Sequence, residues 1–525
     1  MFLKKVSAVF CAAAMLGSMF VFSDPAEAAD GEMRDMTTME LVRDMGVGIN
    51  LGNTYESCGD WILQWSENKP ESFETAWGSP VITQNIIQGY ADEGFGVLRV
   101  PVAWSNMMED DGTYTIHPDY LAKVKQAVDW ALEADMYVIL NIHWDGGWWE
   151  NFPTDKENCM KKYTRIWEQL CAAFGEYDDH LMFESLNEEG GWNSLWNQWS
   201  GSDAGKSDSF GLLNEINQTF VDLVRKSGGN NAERHLLIAG YNTDFTLTCD
   251  PMYKMPEDPA DRCAVSVHYY TPAGFALLEE DADWAKAMST WGTEQDFKEL
   301  EYYMDMMETN FIDKGIPVII GEYGCPKKNK DADSVRLFLT SVAEEAAERQ
   351  LCPVLWDITD LHYDRSSYKL YDQELKANFN RIADSIETPD IPAETTATTE
   401  ATTTTEAATT TEAATTTEAA TTTEAATTTE AETTTEMTTT TEAETTTWID
   451  PTENGAVLYG DVNLDNTVNI LDVLTLNRNL LIGEELSAQG IVNADVDLDS
   501  KPTATDALYI LKFTIKLVTE FPISK

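Results

Sequence analysis

The feature that most constrains the fold is an alternation of short β-rich runs with longer helical patterns. Eight such runs occur: Gly46–Leu51, Val97–Val102, Tyr137–His143, Leu181–Asn187, Leu236–Gly240, Ala264–Tyr269, Pro317–Tyr323 and Pro353–Asp357. Helical patterns lie between them, as at Tyr120–Leu132, Cys159–Phe174, Leu212–Val224, Phe297–Phe311 and Ser334–Ala347. Eight strand–helix units predict an α/β fold, the (β/α)8 TIM barrel. A doubly wound open sheet is the alternative, but no Gly-rich phosphate loop follows the first run.

Polar and aromatic side chains gather where these runs end. In a (β/α)8 barrel the carboxyl ends of all strands lie on one face, and active sites form there. The sequence therefore predicts that these residues share a site: Arg99, Asn141, His143–Trp144, Asn187–Glu188, Tyr241–Asn242, His268, Tyr270, Glu322 and Trp356.

Two carboxylates stand out within this set. Glu188 directly follows the fourth run and Glu322 is the penultimate residue of the seventh, so they are expected to face each other across the barrel mouth. Hydrolysis of a glycosidic bond needs such a pair, since one carboxyl protonates the leaving oxygen and the other acts at the anomeric carbon. For either residue alone, a solvated charge on the rim is the simpler interpretation. The His, Tyr, Asn and Trp residues at the ends of the other runs favour a catalytic site over a solvated rim charge.

An ordered set of motifs resembles glycoside hydrolase family 5, which contains many endo-β-1,4-glucanases. The set is Gly48–Ile49–Asn50–Leu51–Gly52–Asn53–Thr54, Leu98–Arg99–Val100–Pro101–Val102, Asn141–Ile142–His143, Leu186–Asn187–Glu188, His268–Tyr269–Tyr270, Gly321–Glu322–Tyr323 and Trp356. The resemblance covers about residues 36–385. It implies a TIM barrel and a retaining double displacement without a catalytic cofactor, with Glu188 as general acid/base and Glu322 as nucleophile. Glu189 follows Glu188 directly, but the motif selects the residue after Asn187.

The remaining expected site residues have supporting roles under this resemblance. Glu188 should have a raised pKa while Glu322 stays ionised. Arg99 and Tyr270 are expected beside Glu322, and His268 beside the acid/base. The other three contact sugar: Asn187 at the 2-hydroxyl, His143 in the same subsite, and Trp356 stacked beneath the ring.

Many of the sixteen tryptophans fall in or near the loops after the early runs. Ten are of interest: Trp61, Trp65, Trp77, Trp104, Trp144, Trp148, Trp149, Trp192, Trp196 and Trp199. We expect about a third of them to contact sugar, since core or rim packing is the commoner use of such side chains. The loop Gly146–Gly147–Trp148–Trp149 is the preferred second sugar platform.

The two ends of the barrel region have distinct compositions. Residues 1–29 read as a secretory signal peptide, with Lys4–Lys5, an apolar run of 17 residues and the A-x-A site Ala26–Glu27–Ala28. A membrane anchor is the alternative, because 17 residues is the lower limit for a span. Residues 391–454 form a linker; 30 of the 57 residues in 391–447 are Thr, which leaves too few apolar residues for a core. The barrel is assigned to residues 30–390.

Residues 455–525 contain a duplicated acidic pattern whose two copies start 34 residues apart. The first copy places oxygen side chains at Asp461, Asn463, Asp465 and Asp472, and the second at Asp495, Asp497, Asp499 and Asp506. Positions 1, 3, 5 and 12 are calcium-loop spacing. The region resembles a dockerin, a small all-α module with two EF-hand-like loops that docks onto a cohesin. Asn466 and Ser500 replace Gly at position six, which puts calcium affinity in doubt.

The net charge of −55 excludes some partners and leaves others. Nucleic acid and anionic lipid are disfavoured, whereas a neutral polysaccharide is not. We therefore expect a secreted, extracellular endo-β-1,4-glucanase, attached through a calcium-dependent dockerin to the cohesin of a scaffoldin in a cellulosome. Endo-β-1,4-mannanase and xyloglucanase are the nearest alternatives. A non-catalytic glycan-binding barrel and a scaffold-only protein are alternatives of other classes.

Overall fold

The computed structural model describes residues 31, 33–109, 111–387, 458–464, 467–482, 486–498, 501–514, 518 and 521–522. These residues fall in two compact units, the first within Met1–Thr403 and the second within Thr404–Lys525. The predicted signal peptide, the linker, Asp465 and Asp499 lie outside the described residues. None of the described helices has the length and apolar character needed to cross a membrane.

The first unit is built on a closed barrel of eight parallel strands in sequence order. The strands are β1 (Gly48–Asn50), β2 (Val97–Val100), β3 (Tyr137–Asn141), β4 (Leu181–Glu184), β5 (Leu236–Ala239), β6 (Cys263–Tyr269), β7 (Val318–Tyr323) and β8 (Cys352–Leu355). Each predicted run overlaps one of these strands. A hairpin of β9 (Tyr363–Asp364) and β10 (Lys369–Leu370) follows β8. The (β/α)8 prediction is confirmed.

Helices surround the barrel and connect successive strands. They are α1 (Thr38–Asp44), α2 (Asp60–Leu63), α3 (Pro70–Glu74), α4 (Gln84–Asp92), α5 (Pro118–Glu133), α6 (Lys156–Ala173), α7 (Lys206–Ser227), α8 (Phe245–Thr248), α9 (Ala273–Ala276), α10 (Glu294–Asn310), α11 (Ala332–Glu348) and α12 (Gln373–Ser385). Side-chain caps fix several starts, because the first N–H groups of a helix lack partners within it. Thr293 and Asp296 cap α10 reciprocally, and Asp331 accepts a bond from the Ser334 N–H in α11.

The strands are buried on both faces, which explains why the sequence shows nearly continuous apolar runs instead of alternation. One face packs against the surrounding helices in a large core. The other fills the barrel interior with Val97, Ile139, Met182, Leu237 and Ile319, to which α1 adds apolar side chains.

The second unit contains three described helices, α13 (Ile470–Ile482), α14 (Ala488–Ala494) and α15 (Ala504–Thr514). Its small core contains one valine from each acidic loop, Val462 and Val496, together with Val473, Leu476 and Ile510. Each of α13 and α15 follows an acidic loop, as the duplicated pattern predicts. The all-α assignment of this module is confirmed.

Candidate active site

The alternation of strand side chains builds a polar layer directly above the apolar barrel interior. Side chains two residues apart point to the same face of a strand. Two positions after the interior residues Val97, Ile139 and Met182 come Arg99, Asn141 and Glu184, all fully buried. Asn50 pairs with Arg99 and Asn141 pairs with Glu184. Arg99 itself pairs with Ile139, so the layer shifts by two residues between β2 and β3.

Arg99 is the centre of this layer. Its Nε donates to Glu184 Oε2 at 2.7 Å and its Nη1 to Glu322 Oε1 at 2.8 Å. Nη1 also donates to Asn50 Oδ1 at 3.0 Å, and Nη2 donates to Asn187 Oδ1 at 2.8 Å. A buried guanidinium with two carboxylate partners is compensated in charge and in hydrogen bonds. One side chain thereby orients both Glu322 and Asn187.

The Glu322 carboxylate lies between the Arg99 guanidinium and the Tyr270 hydroxyl. Besides the Arg99 bond, Tyr270 donates its hydroxyl to Glu322 Oε2 at 2.9 Å. Burial raises the pKa of Tyr270 well above its usual value, so the phenol keeps its proton and acts as a donor. His143 Nε2 lies 4.0 Å from Glu322 Oε1. The predicted partners of Glu322, Arg99 and Tyr270, are both in contact with it.

Glu188 lies beside Glu322, with His268 between them. His268 Nδ1 is 2.8 Å from Glu188 Oε1 and 3.6 Å from Glu322 Oε2. A carboxylate oxygen of each glutamate and a ring nitrogen of His268 all lie within 4.8 Å of one another. The side chain of Glu188 is 46% exposed, whereas that of Glu322 is 7% exposed. One carboxyl therefore faces the solvent side of the pair and the other is set into the barrel.

The pKa values of the two carboxyls are shifted in opposite directions. Burial raises the pKa of Glu322 and the charge of Glu188 adds to this, against the lowering effects of His268 and Arg99. Burial also raises the pKa of Glu188, but the hydrogen bond and charge of His268, with the charge of Arg99, outweigh it and the net pKa is lowered. This order is the reverse of the expectation from sequence. The reason is the short contact with His268, which favours the ionised form of Glu188.

Trp356 and His143 form one wall of the site. Their rings lie parallel, with centroids 5.9 Å apart and an interplanar angle of 6°. Burial lowers the pKa of His143 well below its usual value, with help from the charges of Arg99 and His268, so the ring is neutral. Gly52 makes room for Trp356, since a Cβ there would lie 3.1 Å from the indole Cζ2. A flat aromatic face next to two carboxyls suits a sugar ring.

The tryptophans of the early loops differ in burial, and Trp148 is half-buried. Trp104, Trp149, Trp192 and Trp196 are buried. Trp61, Trp65, Trp77, Trp144 and Trp199 are at least 38% exposed. Within the predicted Gly146–Gly147–Trp148–Trp149 platform, Trp149 is only 7% exposed and Trp148 donates its Nε1–H to Asp145. That preference was wrong for Trp149, whose ring packs edge-on against Trp144.

Sequence reasoning missed Glu184 and Ser266 as parts of the site. Glu184 accepts hydrogen bonds from Arg99, from Asn141 at 3.0 Å and from Ser266 Oγ at 2.8 Å. Its signal was present, because a carboxyl two positions after an interior apolar residue in a buried strand must have a partner. Only the closed barrel shows that this partner is Arg99, because β3 lies between β2 and β4.

The two acidic loops of the second unit have matching backbone geometry. Asp472 Oδ1 accepts the Val462 and Asn463 N–H groups, and its Oδ2 accepts the Asn469 N–H. In the second copy, Asp506 Oδ1 accepts the Val496 and Asp497 N–H groups and its Oδ2 accepts the N–H and hydroxyl of Thr503. The last acidic residue of each loop thus holds the first half of the loop in place.

These loops fit a calcium ion by donor chemistry. Oxygens of Asp495, Asp497 and Asp506 lie within 4.8 Å of one another, and Asp506 is fully buried. Carboxylates this close repel one another unless a cation lies among them. In the first loop Asp461, Asn463 and Asp472 each offer a side-chain oxygen, the ligand atom that Ca²⁺ takes.

Comparison with known proteins agrees with this geometry. The family model for cellulase (glycosyl hydrolase family 5) matches residues 62–362, more than half of the chain. The model for the dockerin type I domain matches residues 459–513. The first match includes Arg99, Asn141, Glu184, Glu188, Glu322 and Trp356 and begins after Asn50. Both acidic loops fall within the second match.

Individual relatives support the same assignment. Endoglucanase A of Clostridium longisporum is 34% identical over 355 residues, which are 67% of this chain and 65% of that protein. A xyloglucan-specific endo-beta-1,4-glucanase of Bacteroides ovatus is 33% identical over 353 residues, 64% of this chain and 68% of that protein. A solved broad-specificity endoglucanase from an uncultured bovine rumen ciliate is 38% identical, with a TM-score of 0.59 over 66% of this chain and 98% of that one. This chain therefore belongs to glycoside hydrolase family 5, the cellulase family, and carries a type I dockerin domain.

Proposed function

We propose that the protein is a secreted endo-β-1,4-glucanase that cleaves internal bonds of cellulose or a related glucan by a retaining double displacement. The observation that carries the proposal is the approach of the Glu188 and Glu322 oxygens to within 4.8 Å. Retaining enzymes place their two carboxyls about 5–5.5 Å apart, whereas inverting enzymes leave about 6.5–9.5 Å for a water. The separation here supports a retaining pair.

In the first step Glu322 attacks the anomeric carbon and Glu188 protonates the departing glycosidic oxygen. Arg99 and Tyr270 each donate to one oxygen of Glu322, so the orientation of the carboxylate is fixed before substrate binds. A glycan that covers the exposed Glu188 desolvates it and raises its pKa, which supplies the proton-bearing form that this step needs. In the second step Glu188 accepts a proton from the water that releases the sugar.

Asn187 is placed to recognise the reacting sugar. Its side-chain carbonyl accepts from Arg99 Nη2 at 2.8 Å, which directs the amide NH2 group elsewhere. That NH2 is the donor we assign to the sugar 2-hydroxyl, a contact that strengthens in the transition state. The same sugar is expected to stack on Trp356 beside His143.

Xyloglucan is the second candidate substrate. The observation that favours it is the similarity to a xyloglucan-specific relative, at 33% identity over 64% of this chain. Products from carboxymethylcellulose, lichenan, xyloglucan and mannan, measured side by side, separate the candidates. Cleavage of mannan alone contradicts the glucanase proposal.

The dockerin domain is proposed to attach the enzyme to a cohesin outside the cell. Support comes from the type I dockerin match and from the two acidic loops that end at Asp472 and Asp506. An extracellular location further rests on the A-x-A pattern at Ala26–Glu27–Ala28. Bound calcium would order the loops that present the docking surface.

The nucleophile is tested with Glu322→Gln. The amide cannot form the glycosyl-enzyme ester, so we expect kcat to fall on the order of 10⁴-fold or more while the fold and glucan binding persist. Reducing-sugar assays, calorimetric melting and glucan titration measure the three properties. Normal turnover in this variant contradicts the assignment.

Proton NMR of the first product should show the β-anomer, and an α-product contradicts a retaining pair.

The acid/base is tested with Glu188→Ala on 2,4-dinitrophenyl β-cellobioside. This leaving group needs no protonation, so the glycosyl-enzyme still forms, but its hydrolysis lacks a base. Azide needs no base and should restore turnover as β-cellobiosyl azide. Glu189→Gln is the matched control, because Glu189 is a neighbouring buried carboxyl. If azide rescues a Glu189 variant and not the Glu188 variant, the roles are wrongly assigned.

A further inference from the structure

A buried arginine outside the polar layer links the connection after β1 to the hairpin after β8. Arg365 lies in the turn between β9 and β10 and is 4% exposed. Its Nη1 donates to Thr54 Oγ1 at 2.9 Å and to Ser79 Oγ at 2.7 Å, and its Nη2 donates to the Gly52 carbonyl at 2.8 Å. All three acceptors are neutral and belong to the connection between β1 and β2. Because the donors of a guanidinium form a rigid planar fork, one side chain fixes three points of that connection.

The hairpin that carries Arg365 has an attachment of its own. Tyr363 in β9 is fully buried and donates its hydroxyl to the Ile86 carbonyl in α4 at 3.1 Å. On β10 the Leu370 N–H donates to Glu93 Oε2 at 3.0 Å. Both strands of the hairpin are therefore bonded to α4 or to the residue that follows it, and Arg365 extends from this base toward the loop after β1.

Gly52 connects Arg365 to Trp356. Its N–H donates to the Asp357 carbonyl at 3.0 Å, and its own carbonyl accepts from Arg365. An added Cβ at Gly52 would lie 3.1 Å from the Trp356 indole Cζ2, so the indole packs closely against the Gly52 backbone. Loss of the Arg365 bond would therefore release the surface on which the indole packs.

A second contact joins the hairpin to the residue after the indole. Asp357 is fully buried, and its Oδ1 accepts the N–H groups of His362 at 2.7 Å and Tyr363 at 3.1 Å. Burial raises the pKa of Asp357 to about 6, against the lowering effect of the Arg365 charge. The contacts run in a closed circuit from the residue after the indole, through the hairpin and Arg365, to the backbone on which the indole packs.

Arg365 acts on the sugar indirectly, since it is buried and its Nη atoms bond the chain itself. Resting on the glucanase proposal, we propose that Arg365 is a positioning residue that sets the Trp356 ring where the reacting sugar requires it. The stack must hold while the sugar distorts toward the transition state. A displaced indole therefore lowers kcat more than it raises KM.

The test is a double-mutant cycle between Arg365 and Trp356. Arg365→Met keeps an unbranched apolar side chain and removes the donors. We expect kcat on cellohexaose to fall on the order of tenfold with KM changed less than about threefold, and Arg365→Lys to recover part of the loss. In the Trp356→Ala background the same Arg365→Met change should lower kcat less than about twofold, since its effect passes through the missing indole.

Arg234→Lys is the matched control for a buried arginine. Arg234 is fully buried and donates to the carbonyls of Phe174 and Leu181, where β4 begins and away from the site. Its change should lower the melting temperature and leave kcat unaltered. Losses that multiply in the Arg365–Trp356 cycle contradict the positioning role, and so does an Arg365→Met enzyme with normal kcat. If Arg365→Met fails to fold, Arg365→Lys takes its place in the cycle.

A readout without substrate separates this proposal from the glucanase proposal. In protein labelled with 5-fluorotryptophan, the fluorine resonance that disappears in Trp356→Phe reports on the indole. We expect it to shift or broaden in the Arg365 variant and to stay in place in Arg234→Lys. An unmoved resonance overturns the positioning role even in an active enzyme. If the unaltered enzyme hydrolyses neither carboxymethylcellulose nor lichenan, the glucanase proposal fails and the fluorine spectrum alone judges Arg365.

Discussion

At the scale of single residues, Arg99 sets the electrostatics of the site. It contacts Glu184, Glu322, Asn187 and Asn50 while being fully buried. Arg99 forms ion pairs with both Glu184 and Glu322. Glu184 therefore shares in neutralising the guanidinium that orients Glu322. A buried ion pair is valuable here for placement, since its desolvation cost offsets much of its Coulomb attraction.

Glu56 leads to a prediction about pH and stability. It is buried, accepts the N–H groups of Asn53 and Thr54, and burial raises its pKa to about 7. The folded state therefore holds a proton that the unfolded chain loses near pH 4.5. The stabilisation linked to this proton is complete below about pH 4.5 and is lost as pH rises through about 7, an effect of up to about 3 kcal/mol.

Urea unfolding between pH 4.5 and 8 measures this linkage. The decline in unfolding free energy should be smaller in Glu56→Gln, whose amide does not titrate. Glu71→Gln, at an exposed position, serves as the control. Identical pH slopes for the wild type and Glu56→Gln would show that burial of Glu56 is not the cause.

At the scale of elements, the strands position the buried polar layer around Arg99, and the loops carry the exposed tryptophans. The strand positions were predictable because buried parallel strands give continuous apolar runs that end at functional residues. The loops were less predictable. Two tryptophans of the same loop differ in burial, since Trp149 lies in the core and Trp144 is exposed. Burial of a loop side chain depends on neighbours distant in sequence, and no local pattern encodes them.

Gly52 provides the element-scale prediction. It follows β1, and an added Cβ would lie 2.5 Å from the Asp357 carbonyl oxygen and 3.1 Å from the Trp356 indole. Gly52→Ala should push the segment after β8 outward and displace Trp356. We expect kcat/KM on cellotetraose to fall on the order of tenfold and stability to fall by about 1–3 kcal/mol.

Gly211→Ala is the matched control for this change. Gly211 lies inside α7, and a Cβ there meets nothing within 4 Å. Alanine should leave activity unchanged and stabilise the helix by up to about 1 kcal/mol. If Gly52→Ala behaves like Gly211→Ala, then Trp356 does not depend on the close approach at Gly52.

At the scale of the whole molecule, the chain carries two folded units with different sources of stability. The barrel has an extensive apolar core, whereas the second unit has a small one built on Val462, Val473, Leu476, Val496 and Ile510. Small cores rarely suffice alone, and metal binding commonly supplies the remainder. The acidic loops are where that free energy would enter.

Calcium removal should therefore affect the two units separately. We expect two calorimetric transitions in calcium, with only the one assigned to the second unit lost in EDTA. Asp506→Asn should lower the calcium dependence of that transition, because Asp506 closes its loop through backbone N–H groups. A barrel transition that shifts equally with EDTA contradicts this separation.

Several properties of this protein were determined by its sequence alone. Eight apolar runs dictate a closed barrel, and a duplicated acidic spacing dictates paired calcium-type loops. Residues that end the runs identified Glu188 and Glu322 as the catalytic pair of the proposed reaction. These features are local, because each follows from the period of a strand or the spacing within one loop.

Other properties were decided only by the tertiary structure. Closure of the barrel brought Glu184 to Arg99, and the His268 contact lowered the pKa of Glu188 where the opposite was expected. The loops after β1, β2 and β3 combined Trp77 and Trp144 into one pocket. Each of these depends on distances between residues far apart in the chain. Electrostatic interactions and burial vary with such distances, and neither is determined until the whole barrel has closed.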